Sequence, residues 1–162
     1  MYSKDIQILA KDVLEKCRDK KLHVATAESC TGGLIIGSLT EIAGSSDVVD
    51  RGFITYTNRT KMEMLDVPKE TLKTAGAVSQ ETAIAMVLGA IKNSSANIAV
   101  SVTGIAGPGG GSVQKPVGLV HMAAIKRGGT ALHQVHKFGD IGRDKVREAA
   151  VVAALYMLKA VI

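Results

Sequence analysis

The chain has 162 residues, which suits a single domain able to bury one sizeable core. Hydrophobic residues make up 46%, which excludes a disordered chain; aromatics are only 3%, so the core must be built from Ala, Val, Ile, Leu and Met. The net charge of +5 suits an anionic small molecule, but the basic residues are dispersed and lack aromatic platforms, which argues against a nucleic-acid binder.

Residues 4–18 read as a helix, because Ile6, Leu9, Ala10, Val13, Leu14 and Cys17 recur at helical spacing. Residues 22–26 read as a short strand. Gly32-Gly33 then precede a second helix over about 34–42. Val48 to Tyr56 is β-rich, and a helical stretch follows from about Lys61. Pro68 fits the first turn of another short helix. Ser79 reads as an N-cap with Glu81 in the first turn, ahead of an apolar face of Ile84, Val87, Leu88 and Ile91.

Asn97 to Val102 has the pattern of a buried strand, and residues 103–116 form a glycine-rich loop with Pro108 and Pro116. Val117–Ile125 and Ala131–Phe138 flank a turn at Lys126-Arg127-Gly128-Gly129-Thr130, a hairpin signal. A final helix runs from about Arg143 to Ala160. Strands alternating with helices, followed by a hairpin, predict a single α/β domain over residues 1–162. Its mixed, largely parallel sheet is covered by helices on both faces.

The two cysteines are too few for a disulfide framework, and no His/Cys/Asp cluster has metal-ligand spacing. No cofactor is called for. The N-terminus lacks the apolar core of a secretory signal, and no apolar run reaches the length of a membrane span. The expectation is therefore a cytoplasmic protein without a membrane partner. The apolar helix faces are compatible with a homodimer.

Ligands of such sheets bind at the carboxyl ends of strands, where two segments fall. In Thr26-Ala27-Glu28-Ser29-Cys30-Thr31-Gly32-Gly33, a serine sits between a strand and a helix start. There, unpaired backbone N–H groups and the helix dipole can hold an oxyanion. An ordinary capping turn, with Ser29 or Thr31 as the cap, has the same composition. The second segment, Thr103-Gly104-Ile105-Ala106-Gly107-Pro108-Gly109-Gly110-Gly111-Ser112, can cradle phosphate with its amides or be a plain surface loop. It lacks the Walker lysine and is followed by no helix.

A serine nucleophile needs a base. His23 and His121 lie within predicted strands. His133 and His136 are three apart, so they point to opposite faces of a strand. That leaves a lysine, provided burial or nearby charge lowers its pKa, but spacing does not say which one.

The run AESCTGG at 27–33, Gly52-Phe53-Ile54-Thr55-Tyr56-Thr57-Asn58 with Lys61, Gly76-Ala77-Val78-Ser79, and TGIAGPGGGS at 103–112 with Lys115-Pro116-Val117-Gly118 together resemble the CinA C-terminal domain family. That family includes stand-alone nicotinamide-nucleotide amidases. The resemblance covers about residues 5 to 160 and implies a three-layer α/β/α domain with a mixed sheet. It implies deamidation of nicotinamide mononucleotide (NMN) to nicotinate mononucleotide and ammonia, in pyridine-nucleotide recycling. The family's serine, tyrosine and lysine correspond to Ser29, Tyr56 and Lys61, and its phosphate-anchoring arginine to Arg143, with Arg147 one turn later. Gly139-Asp140-Ile141-Gly142-Arg143 replaces the Gly-Asp-Arg that many members carry before the last helix. The family also occurs fused to an N-terminal hydrolase domain, which a chain of this length is not expected to contain.

On this reading Ser29 attacks the carboxamide, and Lys61 takes the proton directly or through Tyr56. The amides around Thr31, Gly32 and Gly33 hold the oxyanion, while Thr103, Gly104, Gly107 and Arg143 hold ribose and phosphate. Glu28 either orients Lys61 or accepts backbone hydrogen bonds. Cys30 is the competing nucleophile, although no histidine partner lies in the four motifs. The rival functions are a non-catalytic nucleotide-binding module, an amidase for another small amide, and a DNA-associated competence factor. The first needs the glycine-rich loops and Arg143 but not Ser29, Tyr56 and Lys61 together. The last is opposed by the absent basic-aromatic surface.

Overall fold

The computed structural model describes residues 2–162. Helix α1 (Lys4–Asp19) starts where the Ser3 hydroxyl accepts from the Ile6 amide, and it buries Ile6, Ala10, Val13, Leu14 and Cys17. This is the predicted apolar stripe. Strand β1 (Val24–Glu28) is buried throughout. Helix α2 (Leu34–Thr40) and strand β2 (Val49–Ile54) follow.

Helix α3 (Asn58–Leu65) begins three residues before the predicted start. Thr57 and Thr60 form a reciprocal capping box, each side chain accepting from the other residue's amide. Pro68 is the cap of α4 (Lys69–Thr74), one residue outside its first turn. The Ser79 hydroxyl accepts from the Thr82 amide at the head of α5 (Gln80–Lys92), the predicted cap.

Strand β3 (Ile98–Gly104) leads into the glycine-rich loop. Strands β4 (Leu119–Lys126) and β5 (Leu132–Lys137) form the predicted hairpin, and α6 (Arg143–Val161) closes the chain.

The five strands lie in the order β2-β1-β3-β4-β5. β1 pairs in parallel with β2 and β3, and β4 is antiparallel to both β3 and β5. Four strands thus run one way and β4 alone opposes them. The sheet is mixed, as expected.

Strand alternation sorts the core into two layers. Val24, Val100, Val120 and Met122 pack with α1, α2 and α6. Ala25, Ala27, Ala99 and Ala123 pack with Leu65 of α3, Leu72 of α4 and Met86, Val87 and Ala90 of α5. The small residues on this second face let α5 lie close to the sheet. Among the described residues no helix is long and apolar enough to cross a membrane.

Strand register brings three chain segments to one end of the sheet. Glu28 lies beside Ile54 on one side and Val102 on the other. The residues just past these positions, Ser29, Thr55 and Thr103, therefore share that end. It is the carboxyl end of the parallel strands, where α/β sheets carry their sites.

Packing between α3 and α5 makes a testable demand. A Cβ at Gly89 would land on the Leu65 carbonyl, which is backbone and cannot rotate away. Gly89→Ala gains about 1 kcal/mol of helix propensity, yet the overpacking costs more. We expect urea denaturation to show a net loss of about 1–3 kcal/mol. A stabilised variant would mean that the two helices do not touch this closely.

Candidate active site

The turn after β1 is organised by Glu28. This residue is fully buried, and strand alternation turns it toward α2. Its carboxylate accepts from the amides of Gly33, Ile35 and Ile36 at 3.0, 3.1 and 2.8 Å and from the Thr26 hydroxyl at 3.1 Å. Gly33, the N-cap position of α2, has no side chain to cap with, and Glu28 supplies the missing acceptor from outside the helix. Neither Ser29 nor Thr31 caps α2. Of the two expected roles for Glu28, the structure shows the backbone one; its carboxylate makes no bond to Lys61 and does not line the cavity.

Ser29 turns to the opposite face. Its amide still donates to Val102, continuing the ladder one residue past β1. Lys61 Nζ, reaching over from α3, donates to Ser29 Oγ at 3.0 Å and to the Thr55 carbonyl at 2.8 Å. The lysine is only 1% exposed, among the most buried large side chains of the chain. The capping box fixes where α3 starts and so places Lys61 one turn into the helix, aimed back at β1. Burial lowers the Lys61 pKa to about 8 from 10.5, and no carboxylate pairs with it. At pH 7 about a tenth of such lysines are neutral, roughly 300-fold more than without the shift.

A cavity of about 200 Å³ opens beside Ser29, walled by Cys30, Ala77, Val78, Thr103, Gly104 and Ala106, with Tyr56 and Arg143 at its mouth. Its inner wall is largely apolar. Thr103 is held in place by donating its hydroxyl to the Ala77 carbonyl at 2.7 Å. Gly104 is required where β3 meets β4, because a Cβ there would collide with Val120 and the Leu119 carbonyl.

Tyr56 is 58% exposed, and its hydroxyl accepts from Arg143 Nη2 at 3.0 Å. The structure gives it no bond to Lys61 or Ser29, so the lysine reaches the serine without a tyrosine relay. Arg143 also donates from Nη1 to the Gly107 carbonyl at 2.9 Å, which ties the glycine-rich loop to α6. Gly107 thus supports Arg143 rather than lining the cavity.

The expected oxyanion donors need correction. The Gly32 amide donates to the Ser29 carbonyl at 3.0 Å, and the Gly33 amide is taken by Glu28. Gly32 and Gly33 serve the turn through their left-handed backbone, with φ of 57° and 97°, instead of offering amides to a substrate. Among the described residues, the amides of Cys30 and Thr31 donate to no other residue.

Arg147 is named by the sequence only as one turn after Arg143, with no role of its own. It donates from Nε to the Cys30 carbonyl and from Nη2 to the Thr31 carbonyl, both at 3.1 Å. Its four-residue offset from Arg143 was the available signal, since that offset puts both on one face of α6.

None of the histidines lines the cavity beside Ser29. His121 Nδ1 and His133 Nε2 share a hydrogen bond at 3.0 Å, His136 stacks on Phe138, and His23 is exposed just ahead of β1 rather than within it. Cys30 is 6% exposed, and burial pushes its thiol up to about 11; Cys17 is pushed to about 11 as well. A thiol of that pKa is about 0.1% ionised at pH 8. Ellman titration at pH 8 should therefore find no fast-reacting thiol in the folded protein and two in denaturant. One fast thiol in the native state would return Cys30 to contention as nucleophile.

Residues 6–162 match the family model described as the CinA C-terminal domain. A CinA-like protein of Syntrophobacter fumaroxidans is 45% identical over 94% of this chain, which is 35% of that protein's length. Another, from Kosmotoga olearia, is 43% identical over 96% of the chain and 37% of its own length. The chain thus spans little more than a third of these curated relatives. The crystal structure of the competence/damage inducible protein CihA from Agrobacterium tumefaciens superposes with a TM-score of 0.97 at 58% identity, covering 99% of this chain and 97% of that one. A CinA superfamily protein from Escherichia coli gives 0.91 at 31% identity, covering 98% and 92%.

Proposed function

The chain belongs to the CinA C-terminal domain family, and on that premise we propose that it is a serine amidohydrolase that deamidates NMN to nicotinate mononucleotide and ammonia. The observation that carries this reading is the buried hydrogen bond between Lys61 Nζ and Ser29 Oγ beside a largely apolar cavity. A nucleophile within 3.0 Å of a desolvated amine is the serine–lysine form of the hydrolase constellation.

In the proposed reaction Ser29 Oγ bonds to the carboxamide carbon as neutral Lys61 takes the hydroxyl proton. The amides of Cys30 and Thr31 stabilise the oxyanion, at about 3 kcal/mol per well-placed donor. The Lys61 ammonium returns the proton to the amide nitrogen, the C–N bond breaks and ammonia leaves. Water, deprotonated by Lys61, then attacks the acyl-enzyme; the C–Oγ bond breaks as the Lys61 ammonium returns the proton to Ser29 Oγ, and the acid departs.

The apolar inner wall of the cavity suits the pyridine ring. Arg143 at the mouth has guanidinium donors left over after Tyr56 and Gly107, and these suit a phosphate. Binding energy from that remote phosphate can position the amide for attack.

Ammonia release from NMN tests the reading. Ser29→Ala should lose at least about 1000-fold in kcat, and Lys61→Met should lose turnover while still binding NMN. Cys30→Ala should stay near the wild-type rate. Release from other pyridine amides but not from NMN would redirect the reading to a different substrate. No release from any amide would leave a nucleotide-binding module.

The pH profile has a fixed sign. Only the neutral amine accepts a proton, so kcat/KM should rise with pH through a midpoint near 8 and flatten above it. A profile flat from pH 6 to 9 would remove Lys61 as the base.

A further inference from the structure

From the contacts behind the nucleophile turn we infer that Arg147 is a positioning residue that aims the oxyanion donors. This inference rests on the amidohydrolase reading of the same site. Residues 29–32 form a tight turn closed by the Gly32 amide donating to the Ser29 carbonyl at 3.0 Å. In a trans peptide the C=O and the following N–H lie in one plane and point in opposite directions. The Ser29 carbonyl is drawn into the turn, so the Cys30 amide is turned outward. The Cys30 carbonyl is drawn to Arg147 Nε at 3.1 Å, so the Thr31 amide is turned away from α6. Two successive outward amides of this kind make an anion-binding nest.

The turn bond fixes the first of those peptide planes, and Arg147 fixes the second. Its second contact, Nη2 to the Thr31 carbonyl at 3.1 Å, holds the guanidinium across both carbonyls. The Leu34 amide also donates to the Thr31 carbonyl at 3.2 Å, but only Arg147 holds the Cys30 carbonyl. The Thr31 hydroxyl is buried and has no hydrogen-bond partner, so the side chain does not anchor its own backbone. Gly32 and Gly33, both at positive φ, are held through their own amides by the Ser29 carbonyl and the Glu28 carboxylate, neither of which fixes the Cys30 carbonyl.

A planar fork spanning two carbonyls is a task that lysine performs only in part. Arg143 and Arg147 thus divide the labour along one face of α6. Arg143 stands at the cavity mouth against Tyr56 and Gly107. Arg147, one turn on, stands behind the turn and touches neither Ser29 Oγ nor the cavity.

Two readouts on the full chain test this: NMN turnover, and the rate at which a fluorophosphonate labels Ser29, followed by intact mass. Both pass through an oxyanion, but labelling does not depend on NMN being the substrate. Arg147→Met should lower kcat and the labelling rate by about 10- to 100-fold, with KM for NMN changed by less than about threefold. Arg147→Lys, which can keep one of the two contacts, should fall between it and wild type. Loss of folded protein alone would lower the fraction that labels while the remainder labels at the wild-type rate, so the labelling rate constant separates positioning from loss of fold.

Arg147→Met labelling and turning over at the wild-type rate overturns the inference. So does a loss confined to KM, which would make Arg147 a second phosphate anchor. If wild type labels at Ser29 in an Arg147-dependent way but hydrolyses no NMN, positioning stands and the NMN reading falls. If wild-type Ser29 does not label at all, both fall.

Discussion

Everything at this site depends on keeping one lysine amine out of water. Lys61 is nearly fully buried and has no carboxylate to neutralise it, only the Thr55 carbonyl and the Ser29 hydroxyl. A charged amine in that setting is costly, so the protein shifts the group toward its neutral form. That cost is what makes a base out of a residue that is otherwise protonated at neutral pH. A carboxylate beside it would relieve the cost and remove the reactivity with it. Glu28 is one residue from Ser29 in sequence, and strand alternation turns it to the other face of the sheet.

Glu28 then has separate work. A helix that starts with glycine has no side chain of its own to satisfy its first amides. Glu28 satisfies three of them and leaves the turn itself to present Ser29. The helix start is therefore consumed by structure, and the free amides lie earlier, at Cys30 and Thr31. One buried carboxylate and one buried amine, on opposite faces of β1, thus bracket the nucleophile without meeting. From the far end of the chain, α6 adds two arginines, one at the cavity mouth and one behind the turn.

Much of the fold was legible in the sequence because its signals are local. The apolar stripe of α1, the Ser79 cap and the Gly128-Gly129 turn each announce an element within a few residues. The start of α3 was not legible, because its capping box uses Thr60 where glutamate or glutamine is the common partner. The site was legible only in part. Motifs named Ser29, Tyr56, Lys61 and Arg143, and the structure joins them as two pairs: Lys61 with Ser29, and Tyr56 with Arg143. Which group meets which depends on strand register and helix placement, which no local pattern encodes. Glu28 shows the limit best. Its chemistry allows either a lysine contact or backbone hydrogen bonds, and only the pleat of β1 decides that it caps α2.

The most direct test of the serine–lysine pair is the ionisation of Lys61 itself, free of any assumption about substrate. Lysine side-chain signals followed by heteronuclear NMR against pH should contain one resonance with a midpoint near 8, well below the others, and Lys61→Met should delete it. A Lys61 midpoint at 10 or above would mean that the amine is solvated and protonated at neutral pH. It would then not be the base, and the serine–lysine account of this site would be wrong.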